Sequence, residues 1–85
     1  MSLEQDYIKN AKRFGARVGD FVTIIQKYDS DTAGWRNTWD SGMNQYVGQT
    51  GKIIKDYGTS GLKVDFDDNA DFLYCFPWFC MKIIR

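Results

Sequence analysis

The N-terminal residues show the hydrophobic spacing of a short amphipathic helix. Four apolar side chains recur at the i, i+1, i+4, i+7 spacing of one helical face: Tyr7, Ile8, Ala11 and Phe14. Ser2, followed three residues later by Gln5, is typical of a capping box, and Gly15 is suited to end the helix. The pattern predicts a helix over Leu3–Phe14, which needs a packing partner because short helices have little stability alone.

The pattern then changes to that of a strand followed by a long loop. Residues 16–25 are rich in β-branched and aromatic side chains, and they predict a first strand over about residues 20–26. Gly19 and Asp20 indicate a turn or bulge that directs this strand. Residues 27–47 have no period of two, and Asp, Ser, Thr, Gly and Asn dominate them. A segment of this length that carries large aromatic residues is typical of a structured, functional loop.

Strand patterns return after the paired glycines Gly48 and Gly51. The further strands predicted, with hairpin turns at 58–61 and 67–70, are residues 52–57, 62–66, 72–76 and 79–84. In the third strand the alternation places Leu62, Val64 and Phe66 toward the core. Pro77 has no N–H to donate, so it ends or displaces the edge of the fourth strand. The last strand is expected to pair near the first.

Five short strands, one long loop after the first and tight hairpins afterwards predict a mainly β fold, a five-stranded SH3-like barrel. Residues 15–85 would form the barrel, and residues 1–14 would form a helix that packs on it and covers one open end. An oligonucleotide-binding barrel is the nearest alternative. That fold usually has a helix between its third and fourth strands, for which this chain has no room.

The composition and the net charge limit the kinds of partner that the chain is expected to bind. The 85 residues are 44% apolar and 16% aromatic, enough for one core. Eleven basic residues balance eleven acidic ones, which removes the long-range field that attracts nucleic acids and acidic membranes. Cys75 and Cys80 would lie on opposite faces of a strand, so we expect free thiols. With no apolar run of membrane-spanning length and no signal peptide, the chain is expected to be soluble and cytoplasmic.

The sequence contains few of the residues and motifs that catalysis or metal binding requires. It contains no His, no nucleophile elbow and no glycine loop placed before a helix to hold phosphate. Four carboxylates near one turn lack the glycine and glutamate spacing of an EF-hand: Asp65, Asp67, Asp68 and Asp71. We therefore expect no enzyme activity, no cofactor and no metal.

Three glycine-containing segments carry a family resemblance. They are residues 15–22 (GARVGDFV), 48–53 (GQTGKI) and 61–66 (GLKVDF). Together they resemble the SH3-like repeats of mind bomb type ubiquitin ligases and related repeats in plant RING ligases, over residues 15–84. The glycine pattern is also similar to KOW-type barrels of ribosomal and transcription proteins and to one of the small proteins of photosystem I. The mind bomb resemblance implies recognition of a short peptide by the loop face, with Trp35 and Trp39 at the matching positions.

The aromatic residues of the long loop are the candidate ligand contacts. Tryptophan offers a large rigid surface and an indole N–H that orients a ligand. We predict a groove for a peptide or protein partner, formed by eight residues: Tyr28, Trp35, Arg36, Trp39, Asp40, Asn44, Tyr46 and Tyr57. The other interpretation is that a tryptophan folds over the core and holds the loop in place.

Two other functions remain open. In the first, bases of a single-stranded nucleic acid stack on exposed aromatic residues while Lys52, Lys55 and Lys63 contact its backbone, although zero net charge disfavours this. In the second, the chain is a structural accessory protein, a monomer or weak homodimer, that self-associates through residues 76–79. The aromatic run around Trp78 must be covered by the N-terminal helix, by a second copy or by a ligand.

Overall fold

The computed structural model describes residues 2–30, 32–68 and 72–84, which form a small, mainly β fold with one N-terminal helix. Helix α1 spans Leu3–Phe14. The strands are β1 (Phe21–Ile24), β2 (Thr50–Asp56), β3 (Leu62–Asp65), β4 (Cys75–Phe76) and β5 (Met81–Ile84). Short 3₁₀ segments occupy the connections at Thr32–Gly34, Ser41–Tyr46, Gly58–Ser60 and Trp78–Cys80.

Helix α1 begins and ends where its capping residues predict. The backbone N–H of Gln5 donates to Ser2 Oγ at 3.1 Å, and the Ser2 N–H donates to Gln5 Oε1 at 3.4 Å. Gly15 adopts a left-handed conformation, with φ of 78°, and its N–H donates to the Ala11 carbonyl. The predicted capping box and the predicted glycine terminus are therefore confirmed. Both could be predicted because they depend only on neighbouring residues.

The five strands form one antiparallel sheet in the order β4-β3-β2-β1-β5. Strand β1 lies between β2 and β5, so Phe21 faces Lys52 on one side and Ile84 on the other. The predicted pairing of the last strand with the first is confirmed. Among the described residues β4 and β5 do not pair, so the sheet is not closed into the predicted barrel.

Strand β4 is shorter than predicted. Only Cys75 and Phe76 join the ladder, and Pro77 ends it. Phe72, Leu73 and Tyr74 precede the strand without belonging to it. The predicted turn at 67–70 extends beyond the described residues, which stop at residue 68 and resume at residue 72.

The core draws side chains from the helix, the long loop and every strand. Its buried hydrophobic residues are Tyr7, Val22, Ile24, Trp35, Met43, Tyr46, Ile53, Leu62, Val64, Phe76, Cys80 and Met81. The predicted alternation in β3 holds for Leu62 and Val64, which are buried, while Phe66 is half-buried. Each fully buried aliphatic side chain of the core contributes about 1.5–3 kcal/mol to the stability of the fold.

Helix α1 packs against the connections at 32–34, 58–60 and 78–80. The Trp78 ring lies 6.4 Å from that of Tyr7 and 5.5 Å from that of Phe14, measured between centroids. The aromatic run around Trp78 was expected to be covered by the N-terminal helix, by a second copy or by a ligand. In the structure the helix covers it. Phe76 is fully buried as well, while Trp78 and Phe79 are half-buried, and self-association through residues 76–79 stays a prediction.

Both cysteines are free thiols, as expected. Cys80 is buried and Cys75 is half-buried, and desolvation raises the pKa of each thiol. Both thiols are therefore protonated and weakly nucleophilic at neutral pH. Within the described ranges, no helix combines the length and hydrophobicity needed to cross a bilayer.

Candidate functional site

Trp35 belongs to the core and not to the predicted groove. Its side chain has 0% exposure, and its indole Nε1–H donates to the Ser60 carbonyl at 3.1 Å. The Arg36 N–H donates to the Thr59 carbonyl at 2.8 Å and strengthens the same attachment. The prediction that Trp35 faces a ligand is wrong, because its indole is used to attach the long loop to the turn at 58–60.

Trp39 and Asn44 come together as predicted, but they satisfy each other. The Trp39 Nε1–H donates to Asn44 Oδ1 at 2.8 Å. The half-buried Trp39 ring packs edge-on against Phe76 at 5.7 Å and against Trp35 at 6.3 Å. Trp39 therefore presents part of its ring to solvent, while its polar atom is occupied.

Tyr46 is also a core residue, with 4% exposure. Its ring stacks on Phe66 with centroids 4.3 Å apart, and its hydroxyl donates to Asp68 Oδ2 at 2.7 Å. This hydrogen bond to the carboxylate raises the pKa of Tyr46. The predicted role of Tyr46 as a ligand contact is wrong, because the 3₁₀ segment at 41–46 turns its side chain inward.

Three other predicted contacts lie away from the loop face. The Tyr28 ring packs edge-on against Phe79 at 4.5 Å. Arg36 forms an exposed ion pair with Glu4 of α1 at 2.9 Å. Tyr57 is exposed. The eight predicted residues do not line one common groove.

Asp40 does line a depression, in company with residues that the sequence did not single out. The depression has a volume of about 250 Å³, and we call it the loop-face groove. Its wall includes Asn37, Thr38, Asp40, Met43, Phe72 and Tyr74. It lies where the loop before the 41–46 segment meets the residues that lead into β4.

The lining of the loop-face groove is partly aromatic and partly polar. Phe72 is 65% exposed, and its ring packs edge-on against Tyr74 at 4.9 Å. Among the polar residues, Asp40 Oδ1 accepts the Gly42 N–H at 2.8 Å, which orients the exposed carboxylate. Asn37 is held in place by donating to the Ser60 carbonyl at 2.8 Å. The arrangement can contact an apolar side chain and pair with a cation or another donor.

Phe72 and Tyr74 were missed because the sequence pattern placed both in a strand of the sheet. One signal in the sequence could have found them. Phe72 directly follows an acidic turn, and a large aromatic residue at such a place is often left uncovered by the rest of the fold. Among the residues that the structure describes, no three His, Cys, Asp or Glu side chains are grouped so that they could hold a metal ion.

Comparison with known proteins adds no family to this description. No family model, no curated protein and no solved structure matches the chain. A functional proposal therefore depends on the chemistry of the loop-face groove itself.

Proposed function

We propose that this chain is a non-enzymatic interaction module that binds a peptide or protein partner through the loop-face groove. The observation that carries the proposal is the exposed ring of Phe72, which packs against Tyr74 in a groove that Asp40 also lines. Exposed aromatic residues with a polar rim are typical of binding hot spots. A volume of about 250 Å³ suits one or two peptide side chains better than a larger cofactor.

We further propose that the fold is SH3-like. Three features support this: the last strand pairs with the first, the longest connection follows β1, and a short 3₁₀ segment precedes β5. Helix α1 covers the aromatic surface of the 78–80 connection. The loop-face groove is therefore the aromatic surface that we assign to the partner.

The groove also indicates the character of its partner. An apolar side chain would pack against Phe72 and Tyr74, and a lysine or arginine would pair with Asp40. A charge-assisted bond to Asp40 would fix the register of the peptide, since the exposed carboxylate is already oriented by the Gly42 N–H. Most of the affinity would come from the aromatic side, as is usual at such interfaces.

The test is selection of binding peptides from a displayed library of random sequences, with the full chain as bait. We expect enriched peptides to pair an apolar residue with a basic one, and their affinity to fall at least about tenfold for Phe72→Ser. Leu3→Ser is a matched control, because Leu3 is also 65% exposed but lies on α1. Failure to enrich any peptide, or equal binding by both variants, would contradict the proposal.

A second candidate function is supported by the surroundings of Tyr57. The Lys55 and Lys63 ammonium groups each lie 5.8 Å from the centroid of this exposed ring. An aromatic face flanked by cations can stack a base and neutralise its phosphate, so it suits a single-stranded nucleic acid.

This second function is tested by titrating a labelled single-stranded oligonucleotide at low and moderate salt. We expect binding that weakens steeply with salt and is lost in Tyr57→Ala. Tyr28→Ala, which removes a tyrosine from another surface, is the control. Absence of binding at low salt would exclude the nucleic-acid function.

A further inference from the structure

A cleft separates helix α1 from the segment that follows it and from the connection between β2 and β3. Its volume is about 300 Å³, and we call it the helix cleft. Its apolar lining includes Ile8, Ala11, Leu62 and Trp78. The helix cleft shares no lining residue with the loop-face groove, so it can be considered independently of the function proposed above.

Trp78, which lines the helix cleft, carries an unsatisfied donor on its indole ring. The Trp78 Nε1 is buried, and it has no hydrogen-bond partner among the described residues. The indoles of Trp35 and Trp39, by contrast, donate to Ser60 and Asn44. Because a buried donor without an acceptor is destabilising, a ligand that supplies an acceptor here gains a favourable bond.

Tyr7 adds a second donor to the lining. Its hydroxyl oxygen accepts the Trp78 backbone N–H at 3.2 Å, so its own proton remains available to donate. Burial raises the pKa of Tyr7 to about 12, which keeps that proton in place at neutral pH. Both buried polar groups of the helix cleft therefore favour an acceptor.

The charges of the lining favour an anion. Lys12 and Arg17 contribute two exposed cations, and Asp56 contributes one carboxylate. Asp56 Oδ1 accepts the Gly58 N–H at 2.8 Å. Within the described part of the chain neither cation forms an ion pair; the ion pair observed there joins Arg36 to Glu4. The lining therefore has a positive balance over an apolar floor.

We propose that the helix cleft binds a ligand with an apolar body and a carboxylate, either a small free acid or the C-terminal residue of a peptide. The carboxylate pairs with Lys12 and Arg17 and accepts from Trp78 Nε1–H. The apolar body contacts Ile8 and Leu62. Since Nε1 is sealed from solvent, α1 shifts outward when this bond forms.

The indole N–H resonances of the ¹⁵N-labelled full chain test the proposal directly. The probes are N-acetylphenylalanine, its neutral amide, and a short peptide that ends in phenylalanine with a free carboxylate. We expect the two acids to shift the Trp78 indole signal saturably, with little effect on the Trp35 signal, and the amide to bind at least about tenfold more weakly. Equal binding of acid and amide, or a Trp78 signal that does not move, overturns the proposal.

Charge variants provide the second readout and leave the buried groups intact. The double substitution Lys12→Gln with Arg17→Gln is expected to weaken acid binding about tenfold. Lys27→Gln with Lys82→Gln removes the same charge from exposed positions outside the helix cleft and is expected to change little. Equal losses in both double variants would contradict the proposal.

The two acidic probes also distinguish the sources of the carboxylate. Binding of the peptide at least about tenfold more tightly than N-acetylphenylalanine supports a peptide C-terminus. Similar affinities support a small free acid. Either result is consistent with recognition of an apolar carboxylate, whereas failure of both acids to bind overturns it.

Discussion

The backbone N–H of Trp78 donates to the hydroxyl of Tyr7 at 3.2 Å, across 71 positions of the chain. This bond joins α1 to the 3₁₀ segment before β5, and Tyr7 is only 3% exposed. The rings of Phe14 and Phe79 also pack against Trp78. Helix α1 is therefore part of the same core as the sheet, and not an appendage to it.

Replacement of Tyr7 by phenylalanine tests the value of this bond. Tyr7→Phe keeps the ring but leaves the Trp78 N–H without its acceptor, so we expect a loss of about 1–3 kcal/mol in the free energy of unfolding. Urea denaturation followed by tryptophan fluorescence measures the change. Tyr57→Phe, at an exposed position, should stay within about 0.5 kcal/mol of the parent chain. Equal stabilities of the two variants would refute the contribution of the bond.

Substitution of Gly34 tests how closely α1 approaches the long loop. A Cβ built on Gly34 would overlap the Leu3 carbonyl, and the residue has φ of 87°. Gly48 has a similar φ of 90°, but nothing lies within 4 Å of its Cβ position. We expect Gly48→Ala to cost about 1–2 kcal/mol from backbone strain alone, and Gly34→Ala to cost clearly more. Thermal unfolding of both variants measures the difference, and equal midpoints would contradict the close approach.

Truncation of Trp35 should destabilise the chain much more than truncation of Phe72. Trp35→Ala removes a fully buried ring and is expected to destabilise the chain by about 3–5 kcal/mol. Phe72→Ala removes an exposed ring and should change stability by less than about 0.5 kcal/mol. Circular dichroism during urea titration compares the two. A stable Trp35→Ala variant would mean that the indole does not hold the loop.

The stability of the fold should decline in alkali. Burial raises the pKa of the Cys80 thiol above its ordinary value of 9.0, and it raises the pKa of Tyr7 from 10.0 to about 12. As the pH rises from about 9 to about 12, the unfolded chain loses these protons before the folded chain does. The unfolded state is therefore favoured progressively, with a slope of up to about 1.4 kcal/mol per pH unit for each group.

Urea midpoints measured between about pH 8 and pH 11 check this decline. Cys80→Ala should make the slope shallower from about pH 9 upward, where the unfolded thiol is ionised and the buried thiol keeps its proton. Cys75→Ala is expected to have a smaller effect, because that thiol is only half-buried. If the stability of the parent chain is constant over this range, the raised pKa values of the Cys80 thiol and the Tyr7 phenol are contradicted.

Features that depend on neighbouring residues were predicted well from the sequence. The bounds of α1 follow from Ser2, Gln5 and Gly15, each within a few positions of the backbone group it satisfies. Alternation in residues 62–65 identified the inward face of β3 because one period of two sets every side chain of a strand. The pairing of β5 with β1 followed from the barrel-like arrangement of short strands.

Features that depend on distant partners were not predicted. Trp35 and Trp39 lie in a segment without periodicity, so their local sequence does not distinguish a core residue from a surface residue. Trp35 can be buried because the Ser60 carbonyl, 25 positions away, accepts its indole N–H. The loop-face groove was missed for a related reason, because residues 72–76 were predicted to form a whole strand, whereas only Cys75 and Phe76 pair.

The position of β1 at the centre of the ladder has a consequence for biosynthesis. Its two neighbours are β2, which follows it after a long connection, and β5 at residues 81–84. As the chain emerges from the ribosome, one edge of β1 stays unpaired until residues 81–84 appear. A helix can form early from local contacts, whereas the sheet must wait for synthesis to reach them. A premature stop just before residue 81 would leave that edge exposed to association with other nascent chains.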